Sequence, residues 1–273
     1  MTKAAWGWRI IRMPLFVLIG SYLVLVLAAP WLAPGMLYYP QLGSRRAPAG
    51  MRTVRGPDGA QVAVLHLPNP SARYTLWFFH GNAEDLGDLE PFLRWMHDAG
   101  FAVFAFDYPG FGRSDGHPSE ATLYAASRVA RDYLRNELHV PAAQTITYGR
   151  SVGSGPAVQM AMEERTGGLV VQSGFMSAYR VVTRWPIVPF DQFGNLAKIS
   201  RVRCPVLVMH GQADDVISFR HGEALFAAAP EPKQHLWVPG AHHNDFIDSA
   251  GDSYGRALRE FSDLCARSAG ASP

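Results

Sequence analysis

The sequence predicts an α/β fold, a mainly parallel central sheet with helices on both faces, and three observations predict it. Short β-like runs alternate with helix-length amphipathic runs from residue 62 almost to the C-terminus, the rhythm of repeated strand–helix–strand units. Two of the β-like runs, Tyr74 to Phe79 and Phe101 to Phe106, are continuously apolar, as strands buried on both faces are. Polar, glycine-bearing turns follow the strands, and a parallel sheet presents its functional residues there.

Taken in order, Val62 to Leu67 alternates as an early edge strand does, and Tyr74 to Phe79 is the first buried strand. Leu86, Leu89, Leu93 and Met96 fall on one helical face, and Gly100 is placed to end that helix. Phe101 to Phe106 is the next strand, and Ser119 is placed to cap a helix carrying Leu123, Ala126, Ala130, Tyr133 and Leu134. Thr145 to Tyr148 leads through Gly149-Arg150-Ser151-Val152-Gly153 into a helix ending near Met162. Strands follow at Leu169 to Gln172, Pro205 to Met209 and His235 to Val238, with helices at Phe219 to Ala228 and Tyr254 to Ala266. The tract from Gly174 to Arg203 breaks the rhythm and reads as a short insertion or lid, about residues 175–203, over the sheet edge. Its Phe175, Trp185, Pro186, Pro189 and Phe190 suit either an apolar pocket or a small core of the lid's own.

A chain of 273 residues, 48% hydrophobic and 18% charged, is long enough for one large domain with a well-packed core. The formal net charge of +2 is too close to neutral to indicate a nucleic-acid or polyanion partner. There is no Gly-x-Gly-x-x-Gly after the first strand and no Walker loop, which argues against a dinucleotide or nucleotide ligand. The only two cysteines, Cys204 and Cys265, are expected to be unpaired buried thiols, with a single disulfide the other option. The histidines show no metal-ligand spacing, so neither metal nor cofactor is expected.

The N-terminus differs from the rest. No charged residue lies between Arg12 and Arg45, and Pro14 to Leu32 is nearly continuous apolar sequence, about the length that crosses a bilayer. Lys3, Arg9 and Arg12 precede it, and Trp6, Trp8, Trp31, Tyr38 and Tyr39 flank it as interfacial aromatics do. The expected organisation is a cytoplasmic 1–12, a transmembrane signal anchor over 13–34, a connector over 35–57 and a catalytic domain over 58–273 on the exported side. A cleaved signal peptide is the alternative, although Ala28-Ala29-Pro30 is a poor cleavage site because of its proline. A buried core helix seldom runs this long without a polar face.

Three strand ends carry the groups that acyl transfer needs. Ser151 lies between two glycines on a strand-to-helix turn, which projects its Oγ from the sheet edge with a helix N-terminus behind it. A serine hydroxyl is a poor nucleophile and needs a base within reach, and histidine can take its proton and return it to the leaving group. Candidate acids, Asp214 and Asp215, follow the strand ending at Met209, and candidate bases, His242 and His243, follow the one ending at Val238. Backbone N–H donors must face the developing oxyanion. The amide of Val152, directly after the nucleophile, is one, and the His80-Gly81-Asn82-Ala83 turn supplies the other, from Asn82 or else Ala83. His80 is expected to brace this turn, Asp107 to cap loop amides, Arg150 to pair with a lid or rim acid, and Asn244 and Asp245 to order their loop.

Together, Tyr38-Tyr39-Pro40, His80-Gly81-Asn82-Ala83, Asp107 to Ser114, Gly149 to Gly153, Pro205 to Ile217 and Gly240 to Asp245 resemble the α/β-hydrolase superfamily. The likeness is to its branch of single-pass, membrane-anchored serine hydrolases with a small lid, similar to acyl-protein thioesterases and lysophospholipases. The order Ser, Asp, His is the superfamily's. Its His-Gly-x-x-Asp-x-x-Ile spacing implies Asp214 rather than Asp215, and its Gly-Ala-Gly-His-Asn-Asp ending implies His243. His242 then replaces a glycine, and carries strain if that position needs φ > 0. The resemblance implies hydrolysis of carboxylic esters or thioesters by Ser151, His243 and Asp214, with a small-molecule, lipid or acylated substrate and no cofactor. An acyltransferase, a serine peptidase or a non-catalytic binding protein on the same fold are the alternatives.

Overall fold

One eight-stranded sheet collects the β-like runs. In the structure, a computed structural model that describes residues 15–28, 35, 37–183, 185 and 190–270, its strands are β1 (Arg52–Arg55), β2 (Gln61–Leu67), β3 (Thr75–Phe79), β4 (Ala102–Phe106), β5 (Thr145–Arg150), β6 (Gly168–Gln172), β7 (Val206–Gly211) and β8 (Lys233–Val238). Their order is β1-β2-β4-β3-β5-β6-β7-β8. β2 runs antiparallel to both β1 and β4, and every other pairing is parallel. Helices α1 (Leu86–Asp98), α2 (Glu120–Asn136), α3 (Ser154–Glu163), α4 (Ala178–Thr183), α5 (Asn195–Ile199), α6 (Arg220–Ala228), α7 (Phe246–Ala250) and α8 (Asp252–Gly270) connect and cover it.

The pleat of β3 and β4 separates two cores. Trp77, Phe79, Phe104 and Phe106 pack with Leu123, Ala126 and Leu134 of α2 and with Ala157, Val158 and Ala161 of α3. Leu76, Phe78, Val103 and Ala105 pack with Leu86, Leu89, Leu93 and Met96 of α1 and with Leu258 and Phe261 of α8. Each large apolar side chain fully buried this way contributes about 1.5–3 kcal/mol, so the continuous runs can only be central strands. Ser119 caps α2 by accepting the Thr122 N–H at 3.1 Å, while Thr122 Oγ1 accepts the Ser119 N–H at 2.8 Å. Pro91 inside α1 has no N–H to give, and the carbonyl four residues back, Gly87 O, accepts instead from Arg46 Nη2 at 2.8 Å.

Three features depart from the sequence expectation. The sheet begins at β1, inside the expected connector, because Arg52-Thr53-Val54-Arg55 is too short and polar to announce a strand. The lid tract is part core and part surface. Phe193 is fully buried against α3, Phe175 packs edge-on to it at 6.1 Å, and Trp185 and Phe190 are 72% and 44% exposed; Pro186 and Pro189 lie outside the described residues. Finally, among the described residues no helix is long and apolar enough to cross a membrane. Residues 15–28 are helical, and most of their apolar side chains are exposed. Residues 1–14 and 29–34 of the expected anchor region lie outside the described residues.

Between β5 and α3 the chain makes a single 3-10 turn, Ser151–Gly153. A Cβ on Gly149 would sit 2.6 Å from Gly153 O and 2.7 Å from Ala157 Cβ, and one on Gly153 would run into the Phe79 and His80 carbonyls. Gly153→Ala is therefore expected to destabilise the fold by about 3 kcal/mol. Gly194→Ala, whose Cβ meets nothing within 4 Å, should change stability by less than about 0.5 kcal/mol. Urea denaturation compares them, and equal effects would remove the steric account.

Cys204 and Cys265 are buried and unpaired. Burial pushes the Cys204 thiol up to about 11 and raises that of Cys265 as well, which lowers the reactive thiolate fraction at neutral to mildly alkaline pH. Ellman's reagent is expected to titrate neither thiol in the folded chain and both in guanidinium chloride. A native titre of one would contradict this packing.

Candidate active site

The parallel strands end at one edge of the sheet, and the predicted residues meet there. Ser151 directly follows β5 with φ +53°, the left-handed region that non-glycine residues seldom enter. His243 lies in the loop after β8, its Nε2 3.1 Å from Ser151 Oγ. Its Nδ1 lies 2.8 Å from Asp214 Oδ2 in the loop after β7. With the Nδ1 proton directed at the carboxylate, Nε2 is left as an acceptor facing the serine hydroxyl.

Asp214 is fixed from both sides. Its Oδ1 accepts the amides of Val216 at 3.0 Å and Ile217 at 2.7 Å, and its Oδ2 also faces His210 Nε2 at 3.3 Å. Burial alone would raise its pKa, but the hydrogen bonds from His210 and His243, with those of the amides, outweigh burial and hold the carboxyl well below the usual carboxylate range. Asp215 points outward. Its Oδ1 accepts the His243 N–H at 3.4 Å and lies 3.6 Å from Nδ1 of the exposed His242. His242 is not among the described non-glycine residues with positive φ; the left-handed position in this loop is Gly240, at +73°. The strain considered for His242 is therefore absent. Asp245 orders the loop by accepting the His242 N–H at 2.6 Å.

The loop after β3 faces the serine. His80 is buried, with Nδ1 2.7 Å from Gly81 O and its ring over Tyr108 at 4.0 Å, which is bracing rather than chemistry. Asn82 Oδ1 accepts the N–H groups of Ala83 at 3.0 Å and Tyr39 at 2.9 Å. Ala83's amide is thus occupied, whereas the Asn82 N–H has no acceptor among the described residues. Asp107 caps the amides of Leu86 and Arg113 at 2.8 and 3.3 Å.

Arg150 pairs not with the lid but with Glu84 of this facing loop, through both Nε and Nη2. Neither Glu84 nor His210 has a role that the sequence alone predicts. His210 sat in plain view four residues before Asp214, but Glu84 and Arg150 are 66 residues apart and neither spacing nor type links them.

Ser151 and His243 open into a cavity of about 300 Å³ whose walls include Asn82, Glu84, Arg150, Gln172, Val216 and Phe246. Phe175, Trp185 and Phe190 are not on its walls. A larger hollow of about 510 Å³, beside Gly56 to Val62 and α2, shares no residue with it. Among the described residues no cluster of His, Cys, Asp or Glu is arranged to hold a metal ion.

Comparison with known proteins gives this geometry its family. The profile of the family described as "Serine aminopeptidase, S33" matches residues 70–193. The chain is 42% identical over 224 residues to alpha/beta hydrolase domain-containing protein aho-3 of Caenorhabditis elegans, covering 78% of this chain and 65% of that protein. It is 40% identical over 197 residues to human alpha/beta hydrolase domain-containing protein 17B, covering 70% of this chain and 68% of the human one. The chain thus spans about two thirds of the length of these relatives. An esterase of Pyrococcus furiosus shares the fold at a TM-score of 0.67 and 15% identity, over 79% of this chain and 90% of its own. By its sheet order and by these similarities, the chain belongs to the α/β-hydrolase superfamily.

Proposed function

We propose that this chain is a membrane-anchored serine hydrolase that cleaves carboxylic esters or thioesters through an acyl-enzyme. The observation that carries the reading is the continuous hydrogen-bonded line Ser151 Oγ, His243 Nε2, His243 Nδ1, Asp214 Oδ2, which shares its cavity with Asn82. Ser151 Oγ attacks the acyl carbon while His243 Nε2 takes its proton. Asp214, held ionised, stabilises the imidazolium, and the amides of Asn82 and Val152 receive the oxyanion. His243 returns the proton to the leaving alcohol or thiol, and water repeats the sequence to release the acid. No step draws on a cofactor.

The anchor is argued from composition: an uncharged tract from Met13 to Ser44 behind three positive charges suits a signal anchor with the catalytic domain exported. Polar side chains of Asn82, Glu84, Arg150, Gln172 and Asn244 make up much of the cavity wall, which favours a short or polar acyl group over a long chain. The family profile's description favours a second reading, an aminopeptidase. Such a site needs a free carboxylate for the substrate's ammonium group, and the carboxylate on this wall, Glu84, is already engaged by Arg150.

A fluorophosphonate probe is expected to label the wild-type chain in the membrane fraction and to leave Ser151→Ala unlabelled. Labelling confined to the soluble fraction would overturn the anchor, and Ser151-independent labelling of folded protein would overturn the reaction. Among p-nitrophenyl esters, kcat/KM should be higher for butyrate than for laurate. The reverse order would remove the polar-cavity argument for short acyl groups.

A further inference from the structure

The two amides proposed to hold the oxyanion come from segments far apart in sequence. Asn82 leaves the loop after β3, and Val152 sits just past β5. The β3–β5 ladder does not fix them against each other, because its last paired residues are Phe79 and Gly149, and both amides lie beyond it. Something else has to span the gap.

Glu84 and Arg150 do so. Glu84 Oε1 accepts the Gly81 N–H at 2.5 Å and Arg150 Nε at 3.2 Å, and its Oε2 accepts Arg150 Nη2. One carboxylate therefore ties the residue before Asn82 to the residue before Ser151. Arg150 is steadied in turn by the rings beneath its guanidinium, Phe78 at 5.5 Å and Phe92 at 5.3 Å. The two side chains are only 19% and 21% exposed, so water competes weakly for the fork.

We propose that Glu84 and Arg150 form a positioning pair that locks the oxyanion loop to the nucleophile turn, so that losing either charge slows the chemical step more than it weakens substrate binding. This rests on the reading of Ser151 as the nucleophile. Burial opposes the charge on Glu84, but Arg150 outweighs it and keeps the carboxyl below its ordinary range; the pair stays ionised across neutral pH. Because each charge cancels the other, the fork offers no net charge with which to hold an ionic substrate. That separates positioning from recognition.

The test uses the full chain in detergent with p-nitrophenyl acetate, on Glu84→Gln, Arg150→Met and Arg150→Lys, each checked for folding by its melting curve. Glu84→Gln keeps the size and an acceptor for Gly81 but loses the charge, and Arg150→Lys keeps the charge but loses the fork. We expect kcat to fall about tenfold in Glu84→Gln and Arg150→Met, with KM within about threefold, and Arg150→Lys to fall between them and wild type. Phenylboronate, whose adduct with a serine hydroxyl mimics the tetrahedral oxyanion, should lose affinity in the same ratio as kcat/KM. Unchanged kcat in the folded variants would overturn the proposal, as would a rise in KM at constant kcat, which would make Arg150 a substrate contact. Full activity in Ser151→Ala would mark failure of the parent reading and would take the pair's role with it.

Discussion

Everything at this site depends on how β5 ends. A central strand of a parallel sheet has a neighbour on each side, so its chain can leave only at the edge, and here it becomes a helix within one 3-10 turn. That turn leaves Ser151 at φ +53°, a conformation that costs on the order of 1–3 kcal/mol for a residue with a side chain. The surrounding packing offsets the cost. α3 is buried along most of its length, and Ser154 Oγ donates to Ser151 O at 2.7 Å. The same closeness that forbids a Cβ at Gly153 brings the Phe79 and His80 carbonyls against the turn. The Ser151 turn and the loop that faces it are in this sense one packed object, and the ion pair between Glu84 and Arg150 completes a contact that backbone packing begins.

The facing loop is held from its other side by the segment that follows the N-terminal apolar tract. Tyr39 donates its N–H to Asn82 Oδ1, Ser44 Oγ and Arg45 N donate to Asp85, and Arg46 satisfies the carbonyl that Pro91 leaves open. Tyr38 is buried, with its hydroxyl 3.5 Å from Gln192 in the lid tract. Beneath the loop, Asp107 caps the first amide of α1, and burial raises its pKa to about 7 even though the Leu86 and Arg113 amides pull it down. Between about pH 4 and 7 the folded state then binds more protons at Asp107 than the unfolded chain does, so this carboxyl favours the fold less as pH rises through that window. Residues 38–46 are therefore part of the scaffold of the site rather than a passive connector.

The fold was legible because apolar continuity and helical periodicity report burial directly. Tyr74 to Phe79 and Phe101 to Phe106 each contain a strand fully buried on both faces, and Leu86, Leu89, Leu93 and Met96 share one core. Ser151, Asp214 and His243 were legible because a parallel sheet gathers its strand ends at one edge. The choice between Asp214 and Asp215 was not a matter of composition. Two adjacent carboxylates differ only in which way the loop turns them, and family spacing carried that choice. What stayed hidden was pairing at a distance. Glu84 with Arg150, and Asn82 with Tyr39, are links between loops whose approach is decided by the sheet rather than by local sequence. The lid tract stayed open between two readings for a related reason: an aromatic residue looks the same in a chain whether it is buried like Phe175 or exposed like Trp185.

The polar cavity and the apolar N-terminus pull toward different substrates unless their tasks are separated. A soluble enzyme acting on a lipid must draw binding energy from the acyl chain, and so needs an apolar channel beside its nucleophile. A tethered enzyme does not, because confinement near the bilayer raises the effective concentration of membrane-borne substrate without any new contact. Under the proposed function its cavity has only to recognise the reacting ester and the polar groups around it, and the cavity of about 300 Å³ is lined by Asn82, Gln172 and Asn244. Binding energy withheld from the acyl chain leaves substrate and transition state less evenly stabilised, and catalysis then falls to contacts that strengthen as the oxyanion forms. On this division of labour the proposed anchor would supply proximity, and the pair of loops joined by Glu84 and Arg150 would supply rate.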